Sequence, residues 1–210
     1  MKKLITLFGL ILATGFTATT VSAQDTPKGY WDDEELAVEL VYRHANRNLE
    51  APTAISQLGL RDARNSVGFR AGYTHFFGRE EGRGNLGLGV EGGATFSNND
   101  DATDDSGNIA IGRGQFKVVY QDNRPEKKVR FGGKLTAGIA REQFKSVGFA
   151  GAGQNAWTAG FGPFVDFGEG RTRLRVGAEY YYSYYTNQVN PLFPKRSNKH
   201  NVEASVGIVF

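Results

Sequence analysis

Apolar side chains recur at every second position in eight stretches between residue 36 and Phe210, the period of a β-strand with one apolar face. The first sets Leu36, Val38, Leu40 and Tyr42 against Ala37, Glu39, Val41 and Arg43. The second sets Val67, Phe69, Ala71, Tyr73, His75 and Phe77 against Gly68, Arg70, Gly72, Thr74 and Phe76. Leu86, Leu88, Val90, Gly92, Ala94 and Phe96 form the third apolar face, with Glu91 on the other side. The fourth places Ala110, Gly112, Gly114, Phe116, Val118 and Tyr120 opposite Arg113, Gln115, Lys117 and Gln121. In the fifth, Val129, Phe131, Gly133, Leu135, Ala137 and Ile139 oppose Arg130, Gly132, Lys134 and Thr136. The sixth sets Trp157, Ala159, Phe161, Pro163, Val165 and Phe167 against Thr158, Gly160, Gly162 and Asp166. Leu174, Val176, Ala178, Tyr180, Tyr182 and Tyr184 then oppose Arg173, Arg175, Gly177, Glu179 and Ser183. Finally Val202, Ala204, Val206, Ile208 and Phe210 oppose Asn201, Glu203, Ser205 and Gly207.

No Asp, Glu, Lys or Arg stands on the apolar face of any stretch. That suits lipid contact, since a Lys or Arg at the bilayer midplane costs roughly 2–4 kcal/mol. Each stretch is also near the roughly 9–11 residues a tilted membrane strand needs. The pattern predicts an all-β chain with residues 34–210 forming an eight-stranded antiparallel up-and-down transmembrane β-barrel. The expected connections alternate, long at 46–65, 97–107, 141–155 and 186–199 and short at 78–84, 122–127 and 168–170. With both barrel ends in the periplasm, the long ones fall outside the cell, as in bacterial outer-membrane barrels. Aromatic residues gather at the strand ends: Tyr42, Phe96, Trp157, Tyr182 and Tyr184 outside, and Phe77, Tyr120, Phe131, Phe167 and Phe210 inside. Pro163 removes a ladder donor in mid-strand, so a bulge or bend is expected there.

Composition narrows the reading without changing it. The 28 glycines and 12% aromatics among 210 residues favour strands and tight turns over helices. With no Cys, neither a disulfide nor a thiolate metal site can form. Met1-Lys2-Lys3, the apolar run Leu4 to Ala13 and Val21-Ser22-Ala23 have the layout of a secretory signal cut before Gln24. Ten apolar residues are too few for the roughly 20 of a spanning helix. The expected division is a signal peptide at 1–23, a periplasmic segment at 24–33 and the barrel at 34–210. Loss of Lys2 and Lys3 turns 25 basic residues into 23 against 22 acidic ones, a formal charge of +1, so the high pI is no argument for nucleic acid.

With these features the chain resembles the small outer-membrane barrels of the OmpA, OmpX and opacity-protein kind. Its last ten residues are similar to the C-terminal signal read by the barrel-assembly machinery, in which apolar residues alternate up to a final aromatic. Val202, Ala204, Val206, Ile208 and Phe210 occupy those positions. The chain stops with the barrel, so a trailing peptidoglycan-binding domain of the OmpA type is not expected.

The opposite strand faces should line the lumen. They carry the acids Glu39, Glu91, Asp166, Glu179 and Glu203 and the bases Arg43, Arg70, Arg113, Lys117, Arg130, Lys134, Arg173 and Arg175. An eight-stranded barrel is only wide enough for side chains to fill it, so a paired charge network is expected. The alternative is a narrow, slightly anion-favouring channel. Gly87-Leu88-Gly89-Val90-Glu91-Gly92 matches the dinucleotide fingerprint, but strand alternation continues where a helix would have to open. The acidic run Asn98 to Asp105 lacks the EF-hand spacing and reads as a solvated outer loop. A lipid-modifying barrel enzyme needs a His beside a Ser, and none of His44, His75 and His200 stands in a His-x-Ser pattern. Recognition would fall to the outer connections, with Phe144, Val147 and Phe149 in one and Val189, Leu192, Phe193, Lys195, Arg196 and Lys199 in another. The expected function is that of a non-enzymatic integral barrel, monomeric and without cofactor. Its expected partners are outer-membrane lipid, lipopolysaccharide, the assembly machinery and any ligand of the loops. A soluble periplasmic carrier of lipocalin type is the reading from a different class, because alternation does not say which face is inside.

Overall fold

The computed structural model describes residues 34–46, 65–77, 84–97, 108–122, 127–145, 152–185 and 199–210. The expected signal peptide, the segment at 24–33 and most of the outer connections lie outside the described residues. Eight strands run in chain order: β1 (Glu34–Asn46), β2 (Asn65–Phe77), β3 (Gly84–Ser97), β4 (Asn108–Asp122), β5 (Val129–Lys145), β6 (Ala152–Phe167), β7 (Arg173–Tyr185) and β8 (Lys199–Val209). Each pairs antiparallel with the next, and β8 pairs with β1, so the sheet closes without an edge.

The closing seam is in register from Ala37↔Val209 to Asn46↔His200. Phe210 extends it by a further pair of backbone bonds, donating its N–H to the Leu36 carbonyl at 2.8 Å and accepting from the Leu36 N–H at 3.2 Å. In the β6–β7 turn, Gly168 and Gly170 adopt φ of 130° and 76°, which a side chain would strain.

Alternation settles which face is in. Along β2 exposed and buried positions follow one another in the order the sequence predicts, with Val67, Phe69, Ala71 and Tyr73 outside and Gly68, Arg70, Gly72 and Thr74 inside. The same parity holds around the barrel. The outside carries exposed apolar side chains such as Phe116 (74% exposed), Leu135, Ile139, Phe161 and Trp157 (61%), and the inside carries the charges. This inverts a soluble protein and contradicts the lipocalin arrangement, in which the apolar face would point inward.

Two expectations need correction. The connection placed at 141–155 is much shorter, because β5 runs on to Lys145 and β6 starts at Ala152. The polar run Arg141-Glu142-Gln143 ends the apolar alternation but not the ladder, whose backbone bonds do not depend on side-chain polarity. Phe144 therefore pairs with Ala152 in the hairpin and is not a loop residue. Likewise Lys199 belongs to β8, paired with Ser183. The second concerns Pro163, where a bulge or bend is expected: no residue is inserted, but the ladder is locally broken. The β6–β7 ladder lapses between Phe161↔Tyr180 and Phe164↔Gly177 and resumes in the same register. On the β5 side Gly133↔Pro163 stays paired, so the missing N–H is lost only toward β7.

Candidate functional site

The interior is packed in layers, each built by inward positions of several strands. At mid-height, Glu39, Glu91, Glu179 and Glu203 meet Arg70, Arg113, Lys117 and Lys134, four acids and four bases drawn from seven strands. Glu179 is the hub. It accepts from Arg70 Nη1 at 2.7 Å, Thr136 Oγ1 at 2.9 Å, Gln115 Nε2 at 3.2 Å and Arg113 Nη2 at 3.3 Å, and Lys134 Nζ stands 2.9 Å away. Arg70 spans the lumen, donating also to Glu39 at 2.8 Å and to Glu203 at 3.3 Å. Arg113 donates to Glu203 at 2.8 Å, and Lys134 reaches both oxygens of Glu91 at 3.0 Å. Lys117 Nζ lies 4.0 Å from Glu91. An isolated charge here would be costly, and the balance of signs lets this interior exist.

Below this layer Phe76, Val119 and Phe164 form an apolar disc across the barrel. Gly132 makes room for Phe164, since a Cβ on it would fall 2.3 Å from the ring. Arg175 lies over a face of that ring at 4.0 Å. It belongs to a second cluster at the end of the barrel where the short turns lie. There Asp166, with no exposed surface, accepts from Arg175 at 2.7 and 2.9 Å, Gln121 at 2.6 Å and Arg173 at 3.4 Å. Glu35 pairs with Arg173 at 2.7 Å and Arg175 at 2.8 Å. Arg130, also buried, is the ladder partner of Asp166. Above the central layer, Tyr181 lies over the Arg113 guanidinium at 4.1 Å, and Tyr185 donates to Glu142 at 2.9 Å close to buried Arg43.

The structure thus places Glu39, Arg43, Arg70, Glu91, Arg113, Lys117, Arg130, Lys134, Asp166, Arg173, Arg175, Glu179 and Glu203 on the inner face, in three clusters rather than one. Two acids were missed. Glu35 has the parity of Glu39 but precedes the first apolar residue of its stretch, and Glu142 has the parity of Lys134 but fell beyond the expected strand end. Val202, Ala204, Val206 and Phe210 project outward from the closing strand, with Ile208 half-buried.

The free space is small. One cavity beside Arg70, Glu91, Arg113 and Tyr181 measures about 20 Å³, and one beside Lys117, Lys134 and Phe164 about 10 Å³. Each is on the scale of a single water, which needs about 10–15 Å³ on this measure. The histidines stand elsewhere, on the outer surface. His44 bonds Asn65 at 2.8 Å, His75 lies edge-on to Phe77, and His200 packs against Tyr180 and Tyr182.

A closed eight-stranded antiparallel barrel with an apolar outside and a charged inside has the fold of the small outer-membrane β-barrel proteins. Among solved structures it is similar to Neisserial surface protein A, with 14% identity over 84% of this chain and 96% of that one and a TM-score of 0.53. It is also similar to Ail, the attachment invasion locus protein of Yersinia pestis, solved with the heparin analogue sucrose octasulfate (14%, 85% and 99%, TM-score 0.47). The outer membrane protein OprG from Pseudomonas aeruginosa is a further example (9%, 84% and 93%, TM-score 0.45). No family model and no curated protein matches the sequence.

Proposed function

We propose that the chain is a non-enzymatic integral barrel of the bacterial outer membrane, which contributes to membrane integrity or surface contact through the connections on its outer side. One observation carries the reading: the polarity of the molecule is inverted, with a nearly charge-balanced interior filled by side chains and an apolar wall. Such a wall has lipid as its natural solvent. Residues 1–23 serve as the export signal and 24–33 as a short periplasmic lead. Val202, Ala204, Val206, Ile208 and Phe210 are read by the assembly machinery, and the finished barrel is a monomer held by lipid and lipopolysaccharide. The interior supports a filling role: most of its charges engage one another, and the apolar cluster of Phe76, Val119 and Phe164 lies among them.

The test is to express the chain with its leader in a Gram-negative host, fractionate the envelope and run the product unheated and boiled on SDS gels. Recovery in the outer membrane with heat-modifiable mobility is expected. A product soluble without detergent overturns the membrane reading. Silence in a planar bilayer separates the plug from the channel, and discrete conductance steps overturn the plug.

A further inference from the structure

One part of the wall is bare. Gly112 and Gly114 of β4 point outward with open space where a Cβ would stand, while Phe116 two residues on is the most exposed apolar side chain of the wall. The missing side chains leave a trench of about 550 Å³ between β4 and β6, bounded by Ile139, Arg141, Asn155 and Trp157. That volume lies within the roughly 300–1,000 Å³ of sites that hold small ligands. Its floor and flanks are apolar, and its upper end is not. Arg141 stands across the ladder from Gly112 on one side and Asn155 on the other, one outward row beyond Ile139 and Trp157. Among described strand side chains it is the one Lys or Arg directed outward, and it forms no ion pair with a described residue. Trp157 pairs with Tyr184 in the outer aromatic row, so Arg141 sits just past that row, at headgroup depth.

We infer that this trench seats a phosphorylated glycolipid of the outer leaflet, with an acyl chain over Gly112 and Gly114 and a phosphate held by Arg141. A guanidinium with no ion-pair partner among the described residues, beside an apolar channel, is complementary to an anion carrying a hydrocarbon tail, and its planar fork matches a phosphate. Asn155 beside it offers an amide to sugar hydroxyls. The side of the barrel fixes the leaflet, because the trench lies at the end of the long connections. This inference rests on the membrane reading above and adds a specific lipid site to it.

Native mass spectrometry of the full chain in mild detergent tests the site with three probes: bis-phosphorylated lipid A, the same lipid without phosphates, and phosphatidylglycerol. The wild-type chain is expected to retain one phosphorylated lipid A. Arg141→Gln should weaken that retention about tenfold and abolish the preference for the phosphorylated form. Gly114→Leu, which fills the trench where nothing stands within reach of its Cβ, should weaken retention of both forms. Heat-modifiable mobility checks that each variant folds. Equal retention by all three proteins, or stronger retention of phosphatidylglycerol, overturns the site. Failure of the wild-type chain to enter lipid vesicles instead overturns the membrane reading, so the two failures are distinct.

Discussion

At Glu179 one carboxylate serves Arg70, Arg113 and Lys134 at once, and its side chain is 1% exposed. Removing the charge while keeping the shape leaves three buried cations with less compensation. Glu179→Gln is therefore expected to destabilise the inserted barrel by about 3–5 kcal/mol, the usual cost of breaking a buried pair from one side. The check is the urea midpoint of barrels in lipid vesicles, and a midpoint within error of wild type refutes the hub role. Lys128 and Glu169 provide the contrast. Their 2.9 Å pair joins two turns in full solvent, and Glu169→Gln should leave the same midpoint unmoved. The two sites look alike in the sequence as charged residues near turns or glycines. What separates them is parity: Glu179 alternates with the apolar Ala178 and Tyr180, whereas Glu169 lies between glycines of a turn. Parity also reaches Glu35 and Glu142 once the strands are drawn to their full length. The partner of each charge was not legible, because pairing across the lumen joins strands by stagger and side-chain reach rather than by spacing along the chain.

The strands themselves were almost fully legible, because a wall with lipid outside and a filled lumen inside leaves only one allowed phase for each. Their ends were less so. Beyond the membrane the outward positions no longer need to be apolar, and the β5–β6 hairpin continues past Ile139 and Trp157 with Arg141 and Asn155 facing outward. Pro163 shows the opposite case, a residue whose local rule is obeyed by a gap in the ladder without an inserted residue. The β5 side of β6 stays paired and the register on the β7 side is unchanged across the gap, so the cost is a missing donor rather than an inserted residue. Pro163→Val restores an N–H toward Ala178 and keeps an apolar side chain on the lipid face. It should raise stability by about 0.5–1.5 kcal/mol, one net hydrogen bond, reduced by the greater freedom of the unfolded chain. Slower amide exchange around Ala178 and Glu179 is the accompanying signature, and a register shift seen by cross-strand spin labels would show that the proline had been setting the pairing instead.

For the molecule as a whole, closure and filling make different demands on the same short chain. Closure depends on β8 meeting β1, and Phe210 contributes both backbone groups to that seam. Deleting it would therefore confound stability with recognition. Phe210→Ala keeps both bonds and removes only the half-exposed ring. The expected outcome is slower assembly in cells with little change in the urea midpoint of refolded barrels, and equal losses in the two assays would remove the recognition role. Filling is what decides conduction. A water-filled path would have to pass the charge layer, where the two cavities among the described residues are each about one water in size, and then the disc of Phe76, Val119 and Phe164, which repels water as hydrophobic gates do. The disc has no charge to lose, so it can be opened without unbalancing the network. Phe164→Ala removes the ring that covers Gly132 and supports Arg175, leaving a hole that joins the central layer to the lower one. The wild-type chain is expected to be silent in a planar bilayer, and Phe164→Ala to flicker with small steps that favour anions, since the lower cluster holds Arg130, Arg173 and Arg175 against Asp166 and Glu35. If both proteins are silent, the charge layer alone seals the lumen and the disc serves packing. If wild type already conducts, the plug is wrong, and the buried pairs must then part readily enough to let ions between them.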